Sequence, residues 1–424
     1  MRATSIDSEK FLAGTRKPSL STSLARWLVI RRLKRLRNER LVIVEGGDRW
    51  EFGDITGRAE IVGRIIVHDP RFYTEVAFGG TIGAGESYMQ GHWTTDDLTA
   101  VMRVLLRNRR LLNSMETGFA RLAEPAHRLF HRWNRNSKTG SRRNIAAHYD
   151  LGNDFFSLWL DDSLMYSSAM FPDPEMTLEE ASQAKLRLVC DKLELTPSDH
   201  LLEIGTGWGG LAIFAARNYG CRVTTTTISK EQFDFATQRV CDEGLDDRIT
   251  VLMEDYRDLE GCFSKLVSVE MLEAIGHEWV DTYFEKCSEL LEPAGMMLVQ
   301  TITIADAEYE RAKRSVDFIQ RYIFPGGSLS SVRVLEASIG NNSDMQLHHL
   351  EEIGLDYAMT LRHWYERMFA KLPDVRALGY SEAFIRMWEF YLCYCESGFL
   401  ERAIGNAQLL LAKPGSSSFA ERGR

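Results

Sequence analysis

Apolar and polar positions alternate in two different ways along the chain. In the first third, Leu41–Glu45, Ile61–His68 and Arg71–Phe78 alternate in short runs that predict strands. Gly46-Gly47, Gly79-Gly80, Gly83 and Gly85 punctuate them as turns. Leu24–Arg40 predicts a helix with Leu24, Trp27, Leu28, Ile30, Leu33 and Leu36 on its apolar positions, and Glu86–Gly91 with Asp96–Asn108 turns helical again. From Asn144 the rhythm lengthens. A long helix is predicted over Met176–Leu195, with Thr177 as N-cap and Glu180 completing a capping box. Strand Leu201–Ile204, strand Arg222–Ile228, helix Lys230–Cys241, strand Ile249–Glu254, strand Leu266–Met271, helix Trp279–Leu291 and strand Met296–Ile304 then follow. That succession predicts a parallel, doubly wound α/β sheet. Ala305–Ser343 interrupts it, and Met345–Glu352, helices Met359–Lys371 and Ser381–Phe399, and strand Ala407–Lys413 complete it.

The expected architecture is therefore a Rossmann-like α/β domain with helical insertions, over 141–424, preceded by a smaller α+β domain over 1–140. The polar stretch Asn134–Ser141 supplies the boundary. Ligands in such sheets sit beyond the carboxyl ends of the strands. The stretch Leu201–Gly210, LLEIGTGWGG, lies at such an end. Its glycines let backbone approach a ligand where a Cβ would intrude. Its spacing is E-x-G-x-G-x-G, not the G-x-G-x-x-G of a dinucleotide site. Strand Arg222–Ile228 closes on Thr225, Thr226, Thr227 and Ile228, with no acidic residue to hold a ribose. Glu203 is placed instead to anchor the charged end of an amino acid through ordered groups.

Charge and composition change this picture in two places. The chain is 44% hydrophobic and 26% charged, which suits a soluble globular protein, and no apolar run reaches bilayer length. The N-terminus lacks the apolar core of a secretory signal, and seven cysteines without metal-ligand spacing fit a reducing cytoplasm; no metal is expected. A formal net charge of −9 argues against a general nucleic-acid binder. Basic residues nevertheless cluster on Leu24–Arg40 (Arg26, Arg31, Arg32, Lys34, Arg35, Arg37, Arg40) and over Arg103–Arg143. Such stretches are solvated helices or a peripheral membrane face.

Several stretches taken together resemble the cyclopropane-fatty-acid synthases, including the mycolic acid cyclopropane synthases, within the class I methyltransferases that use S-adenosylmethionine. They are AAHYDLGNDFF (Ala146–Phe156), MYSSAMF (Met165–Phe171), MTLEEASQAK (Met176–Lys185), LLEIGTGWGG, TTISKEQ (Thr226–Gln232), VSVEMLEAIG (Val267–Gly276), DYAMTLRHWYERM (Asp356–Met368) and FYLCYCESGF (Phe390–Phe399). The resemblance covers essentially everything after Asn144. It implies transfer of the methyl carbon of S-adenosylmethionine to a cis double bond of a phospholipid-bound acyl chain. Loss of a proton from the added methyl then closes a cyclopropane ring, with bound bicarbonate as the base. Positioning, exclusion of water and a proton acceptor are the demands of that chemistry.

For the cofactor, the resemblance selects Gly205, Thr206 and Gly207 with Glu203 beneath, Tyr166 and Ser167, and Thr227, Ile228 and Gln232 on the ribose and adenine side. Tyr256 and Arg257 match the adenine-capping position, with Tyr256 stacking. For bicarbonate, it selects Glu273, although Glu270 competes on spacing alone, together with Tyr357, Gln300 and backbone groups at Ser168 and Ile302. Ser168 stands where the family often has cysteine, and Gln300 where some members have histidine. Cys395 matches the cysteine that the family marks as active-site; in an apolar helix it reads as a pocket-lining group, with Cys393 pointing elsewhere. His148 and Tyr149 are placed to close over the cofactor, or to serve as structural residues.

A lipid substrate turns the basic helices into a transient contact with anionic membrane, and the expected location is cytoplasmic and peripherally membrane-associated. A homodimer is compatible with the family. Two alternatives stay open. One is a methyltransferase that yields a methyl-branched chain or methylates another small acceptor. The other is a lipid-binding protein with an inactive catalytic domain, against which the intact glycines and Glu273 argue.

Overall fold

The computed structural model describes residues 19–109 and 152–416. The described residues up to 109, together with Glu382–Phe390, form one compact unit, and 152–381 with 391–416 form the other. The expected boundary at Asn134–Ser141, the basic residues from 110 to 143, and His148 and Tyr149 lie outside the described residues.

The first unit opens on helix α1 (Leu20–Leu33), which the Ser19 side chain caps by accepting from Thr22 N–H. Strands β1 (Arg40–Glu45) and β2 (Asp48–Gly53) form a hairpin over Gly46-Gly47, and β3 (Val62–Val67) runs parallel to β1. Helix α2 (Arg71–Met89), strand β4 (Trp93–Thr94) and helix α3 (Leu98–Arg107) follow, and the sheet order is β2-β1-β3-β4.

The run Arg71–Phe78, expected as a strand, is the start of α2. Aromatic and β-branched residues at alternate positions give it a false period of two. Pro70 at the N-cap and the Asp69 carboxylate, which accepts from Arg71 N–H at 2.9 Å, start a helix instead. Gly79, Gly80, Gly83 and Gly85, read as turns, lie within this helix, which kinks at Gly80 (φ 55°). A Cβ on Gly83 would sit 2.1 Å from the Glu75 carbonyl oxygen, so the bend requires glycine there.

In the second unit, α4 (Asn153–Ser157) precedes α5 (Leu178–Lys192), where Thr177 and Glu180 form the expected capping box. Strand β5 (His200–Ile204), α6 (Gly210–Tyr219), β6 (Arg222–Thr226), α7 (Lys230–Asp242), β7 (Ile249–Leu252), β8 (Phe263–Val269), α8 (Val280–Leu290) and β9 (Leu291–Ile304) build the α/β core. Helices α9 (Asp306–Ala312), α10 (Phe318–Tyr322) and α11 (Val332–Asn342), strand β10 (Gln346–Glu352), helices α12 (Gly354–Ala370) and α13 (Leu372–Ala377), the part of α14 (Glu382–Leu400) from Tyr391 on, and strand β11 (Ile404–Ala412) complete it.

The seven strands lie in the order β10-β11-β9-β8-β5-β6-β7. Strands β5 to β9 are parallel, as the pattern predicts. The sheet is not parallel throughout, however: β11 inserts between β9 and β10 and runs antiparallel to both. Hydrophobic pattern fixes which residues are buried in a strand, not its direction, so this reversal was not readable from the sequence. Strand β5 is buried on both faces. Leu201 enters one apolar cluster with Leu186, Val189 and Val223, while Leu202 and Ile204 enter the other with Leu266 and Met297. Truncating such a residue costs about 2–5 kcal/mol, which makes β5 a rigid support for the turn that follows it.

Candidate functional site

The turn after β5 forms an open cradle. Gly205 and Gly207 hold φ of 106° and 52°, in the region where glycine is cheap. Among the described residues, a Cβ added to Gly207 would meet nothing within 4 Å, which leaves the backbone there open to a ligand. A Cβ on Gly210 would lie 2.6 Å from the Ser163 carbonyl oxygen. That close approach draws the segment leading to Tyr166, Ser167 and Ser168 against the start of α6.

Beneath the cradle, buried Glu203 accepts from Thr225 Oγ1 at 2.6 Å, and Thr225 shares a 2.7 Å hydrogen bond with Thr206 Oγ1. Burial pushes the Glu203 carboxyl up to about 8. On the next strand end, Thr227 Oγ1 donates to Gln232 Oε1 at 2.8 Å, and Ser229 caps α7 by accepting from Gln232 N–H. Thr227 and Gln232 are thus joined as one wall of the cradle, with half-buried Ile228 between them in sequence. These residues fit an amino-acid nucleoside cofactor: an open backbone surface, a buried carboxyl anchoring the turn, and a polar wall.

Tyr256 lies on a short turn after β7, Tyr256–Asp258. Its ring is 8% exposed and packs edge-on against Tyr283. Arg257 is engaged too, paired to Asp255 at 2.7 Å and stacked over Trp279 at 4.9 Å. The aromatic residue of D-Y-R satisfies the core because β7 ends at Leu252 and the chain turns inward after it.

Beside the cradle lies a carboxylate pocket. Met271 forms the join: its side chain would touch a Cβ on Gly205 at 3.3 Å, and its neighbour in sequence is Glu270. Glu270 Oε1 accepts from Ser168 N–H at 2.9 Å, from Gln300 Nε2 at 2.8 Å and from Asn406 Nδ2 at 2.6 Å. The phenol of buried Tyr357 lies beside the same side chain, and burial and Glu270 together raise the Tyr357 hydroxyl well above its usual range. The amide orientations are fixed from behind. The Lys192 ammonium donates to Gln408 Oε1 at 2.6 Å, Gln408 Nε2 donates to Gln300 Oε1 at 2.9 Å, and Gln300 is left to present its N–H groups to Glu270. Glu270 itself has a left-handed backbone (φ 50°). A residue with a Cβ held there costs on the order of 1–2 kcal/mol.

The residues expected around bicarbonate are therefore divided. Ser168 N–H, Gln300 and Tyr357 converge on Glu270. Glu273, on a short 3-10 turn (Leu272–Ala274), is held by the other expected group: its Oε1 accepts from Ile302 N–H and, at 2.9 Å, from Thr301 Oγ1. Its Oε2 is buried and has no hydrogen-bond partner among the described residues. Burial and the nearby Glu270 charge push Glu273 up to about 7. In this structure the donors assigned to bicarbonate are taken by two carboxylates of the chain, Ser168 N–H and Gln300 by Glu270 and Ile302 N–H by Glu273.

Sequence reasoning missed Lys185 and Asn406. Lys185 is fully buried, donates to Ser167 Oγ at 3.0 Å, and is pushed down to about 8 by burial against the attraction of Glu270, Asp161 and Glu203. A signal existed: Lys185 sits on the buried stripe of α5 with Leu178, Ala181, Ser182 and Leu186, where a lysine must find partners. Asn406 gave none, because it belongs to the strand whose reversal was unreadable.

Aromatic side chains surround the pocket. Tyr166 shares a 2.9 Å hydrogen bond with Tyr391 and packs on Phe156, Trp159 and Trp364; Tyr357 stacks on Phe399 at 4.5 Å. Cys395 lies near Tyr357 and Tyr391, and burial pushes its thiol far up, which suits a lining group and not a thiolate nucleophile. A separate surface cavity of about 370 Å³, lined by Met170, Phe171, Leu188 and Asp356 among others, includes none of the cradle residues. Among the described residues no helix is long and apolar enough to cross a membrane, and no His, Cys, Asp and Glu cluster could hold a metal ion.

Residues 136–409 match the family described as mycolic acid cyclopropane synthetase. The chain is 41% identical over 354 residues to the cyclopropane-fatty-acyl-phospholipid synthase of Escherichia coli K12, covering 82% of this chain and 87% of that protein. It is 36% identical over 372 residues to the tuberculostearic acid methyltransferase UfaA1 of Mycobacterium tuberculosis, covering 86% of each. Among solved structures, the mycolic acid cyclopropane synthase CmaA1 complexed with SAH and CTAB superposes with a TM-score of 0.60 at 32% identity, over 64% of this chain and 98% of that one.

Proposed function

The chain belongs to the mycolic acid cyclopropane synthetase family of S-adenosylmethionine-dependent methyltransferases, and we propose that it cyclopropanates cis double bonds in the acyl chains of membrane phospholipids. The observation that carries this reading is the adjacency, through Met271, of an open glycine cradle and a carboxylate pocket walled by aromatic rings. When bound, S-adenosylmethionine supplies an electrophilic methyl group on a sulfonium. Gly205, Thr206 and Gly207 would hold its amino-acid end, with Glu203 fixing the turn from below. Thr227, Ile228 and Gln232 would line its nucleoside, and Tyr166 and Ser167 the side facing the acceptor.

Tyr166 is partly exposed and is backed by the fully buried rings of Phe156, Trp159 and Trp364, a setting that suits a hydrocarbon and disfavours water. A small polar acceptor would need donors and acceptors along this wall. The first unit supports a lipid substrate through α1. Leu20, Leu24 and Trp27 are 93%, 57% and 52% exposed along one face, and Arg31 stacks over Trp27. Apolar anchors flanked by arginine and lysine suit an anionic bilayer surface, where each basic residue gives about 1 kcal/mol. Vesicle binding is expected to need anionic lipid and to weaken with salt; equal binding to neutral vesicles in high salt would contradict this face.

A second reading, a methyltransferase giving a methyl-branched chain, is favoured by the relative named for tuberculostearic acid methylation. One assay separates these readings. Purified protein, labelled S-adenosylmethionine and unsaturated phospholipid vesicles are incubated, and the labelled lipid is identified by mass spectrometry. Label in a ring-bearing acyl chain is expected. Label in an open branched chain would favour the second reading, and no label in lipid would overturn both.

A further inference from the structure

Glu270 is the polar side chain on which the pocket is built, and the reasoning from family resemblance gave it no role. Three N–H donors and a phenol face its carboxylate, from four elements that are distant in sequence: the Tyr166–Phe171 segment, β9, α12 and β11. Three of these four donors are the ones expected to bind bicarbonate. A carboxylate and a bicarbonate present the same planar O–C–O group to such donors. The buried Lys185 ammonium adds a nearby positive charge. The backbone of Glu270 is left-handed, a conformation the fold maintains although a Cβ disfavours it.

We propose that the Glu270 carboxylate is the built-in counterpart of that anion, that it accepts the proton released in ring closure, and that this protein turns over without bicarbonate. The proposal rests on the cyclopropanation reading above. In the step, a C–H bond of the transferred methyl breaks. Its electron pair forms the bond to the positively charged chain carbon and closes the ring. The proton goes to a Glu270 oxygen, which releases it to water after the product leaves. Gln300, Asn406, Tyr357 and the Ser168 N–H are positioning groups that hold the carboxylate in place. Glu273, held by Ile302 and Thr301 on the adjoining turn, stays outside the proton path.

The test uses the full-length protein with unsaturated phospholipid vesicles in carbon-dioxide-stripped buffer. Wild-type turnover is expected to be the same, within about twofold, with and without added bicarbonate. A loss of about tenfold or more on stripping, restored by bicarbonate, would overturn the proposal while leaving cyclopropanation intact. Glu270→Gly should fold, because glycine relaxes the left-handed backbone. It removes the acceptor and leaves four donors around a void. Turnover should fall roughly 100-fold or more, a typical loss for a general base, and added bicarbonate should restore part of it. Binding of S-adenosylhomocysteine by calorimetry should be unchanged, which separates this effect from misfolding. Glu270→Gln fills the same space and should show the loss without the rescue; wild-type-like turnover in either variant would overturn the proposal.

A second measurement does not depend on turnover. The 13C resonance of labelled bicarbonate should be unaffected by wild-type protein and broadened by Glu270→Gly. Broadening by wild-type protein that Tyr357→Phe abolishes would place bicarbonate in the pocket and sink the proposal. Absence of labelled lipid in every buffer would count against the cyclopropanation reading and not against the occupancy of the pocket by Glu270.

Discussion

The cradle and the pocket sit side by side, yet they are made in opposite ways. The cradle is local: Glu203, Gly205, Thr206 and Gly207 follow one strand, and Thr227 and Gln232 follow the next. It works by what its backbone lacks, since Gly207 keeps open a space that a Cβ would enter. The pocket is assembled from distant segments and works by what its side chains supply, with Ser168, Gln300, Tyr357 and Asn406 all aimed at one carboxylate. Adding atoms should damage the first, and removing a polar group should damage the second.

The largest effect is expected from Gly207→Val. A β-branched residue at φ 52° is strained, and its side chain fills the cradle. Affinity for S-adenosylhomocysteine should drop by roughly 100-fold or more, about 3 kcal/mol, while the pocket keeps its geometry. Calorimetry showing near-normal affinity would mean that the cofactor does not use this turn. Tyr357→Phe sharpens the contrast from the other side. Deleting one donor to Glu270 should slow turnover roughly 10–100-fold, a range set by the loss of a single aligned donor, with S-adenosylhomocysteine affinity unchanged. Equal losses in turnover and affinity would mean that cradle and pocket are one site.

The smallest effect is a slope in stability. Glu273 is held up to about 7, against about 4.5 for an exposed carboxyl. Between those values the folded protein keeps a proton that the unfolded chain has lost. Stability contributed by this group is therefore fully present below about 4.5, falls as pH rises through the window, and levels off above about 7. Glu273→Gln should flatten that fall, by on the order of 1–3 kcal/mol across the window. It should also leave turnover much less affected than Glu270→Gln. Urea unfolding at several pH values reads the first effect, and an unchanged slope would mean that Glu273 titrates as an exposed acid.

Legibility followed the same division. The cradle could be read from a contiguous string, because strand, glycines and helix must be neighbours in sequence to form such a turn. Of the pocket, the string disclosed Ser168, Gln300 and Tyr357 through family resemblance, and Glu270 only as a candidate on spacing alone. Family register selected Glu273 while spacing left Glu270 open; in the structure Ser168, Gln300 and Asn406 donate to Glu270, and Ile302 and Thr301 to Glu273. Asn406 was hidden because its strand runs antiparallel between β9 and β10, which no hydrophobic pattern encodes. The packing of Tyr256 on Tyr283 was hidden for a related reason, since nothing in the string links two tyrosines so far apart. Arg71–Phe78 failed locally, since its alternation mimicked a strand while Asp69 and Pro70 started a helix.

The most direct test follows the fate of the transferred methyl. The enzyme is given S-adenosylmethionine with a fully deuterated methyl group and vesicles of a cis-unsaturated phospholipid, and the modified acyl chain is analysed by mass spectrometry and NMR. Removal of a proton from the added carbon predicts a cyclopropane methylene that has lost one deuterium. A product that keeps the whole deuterated methyl on an open chain would show that the proton leaves from elsewhere, and would contradict the account of the pocket as the acceptor for ring closure.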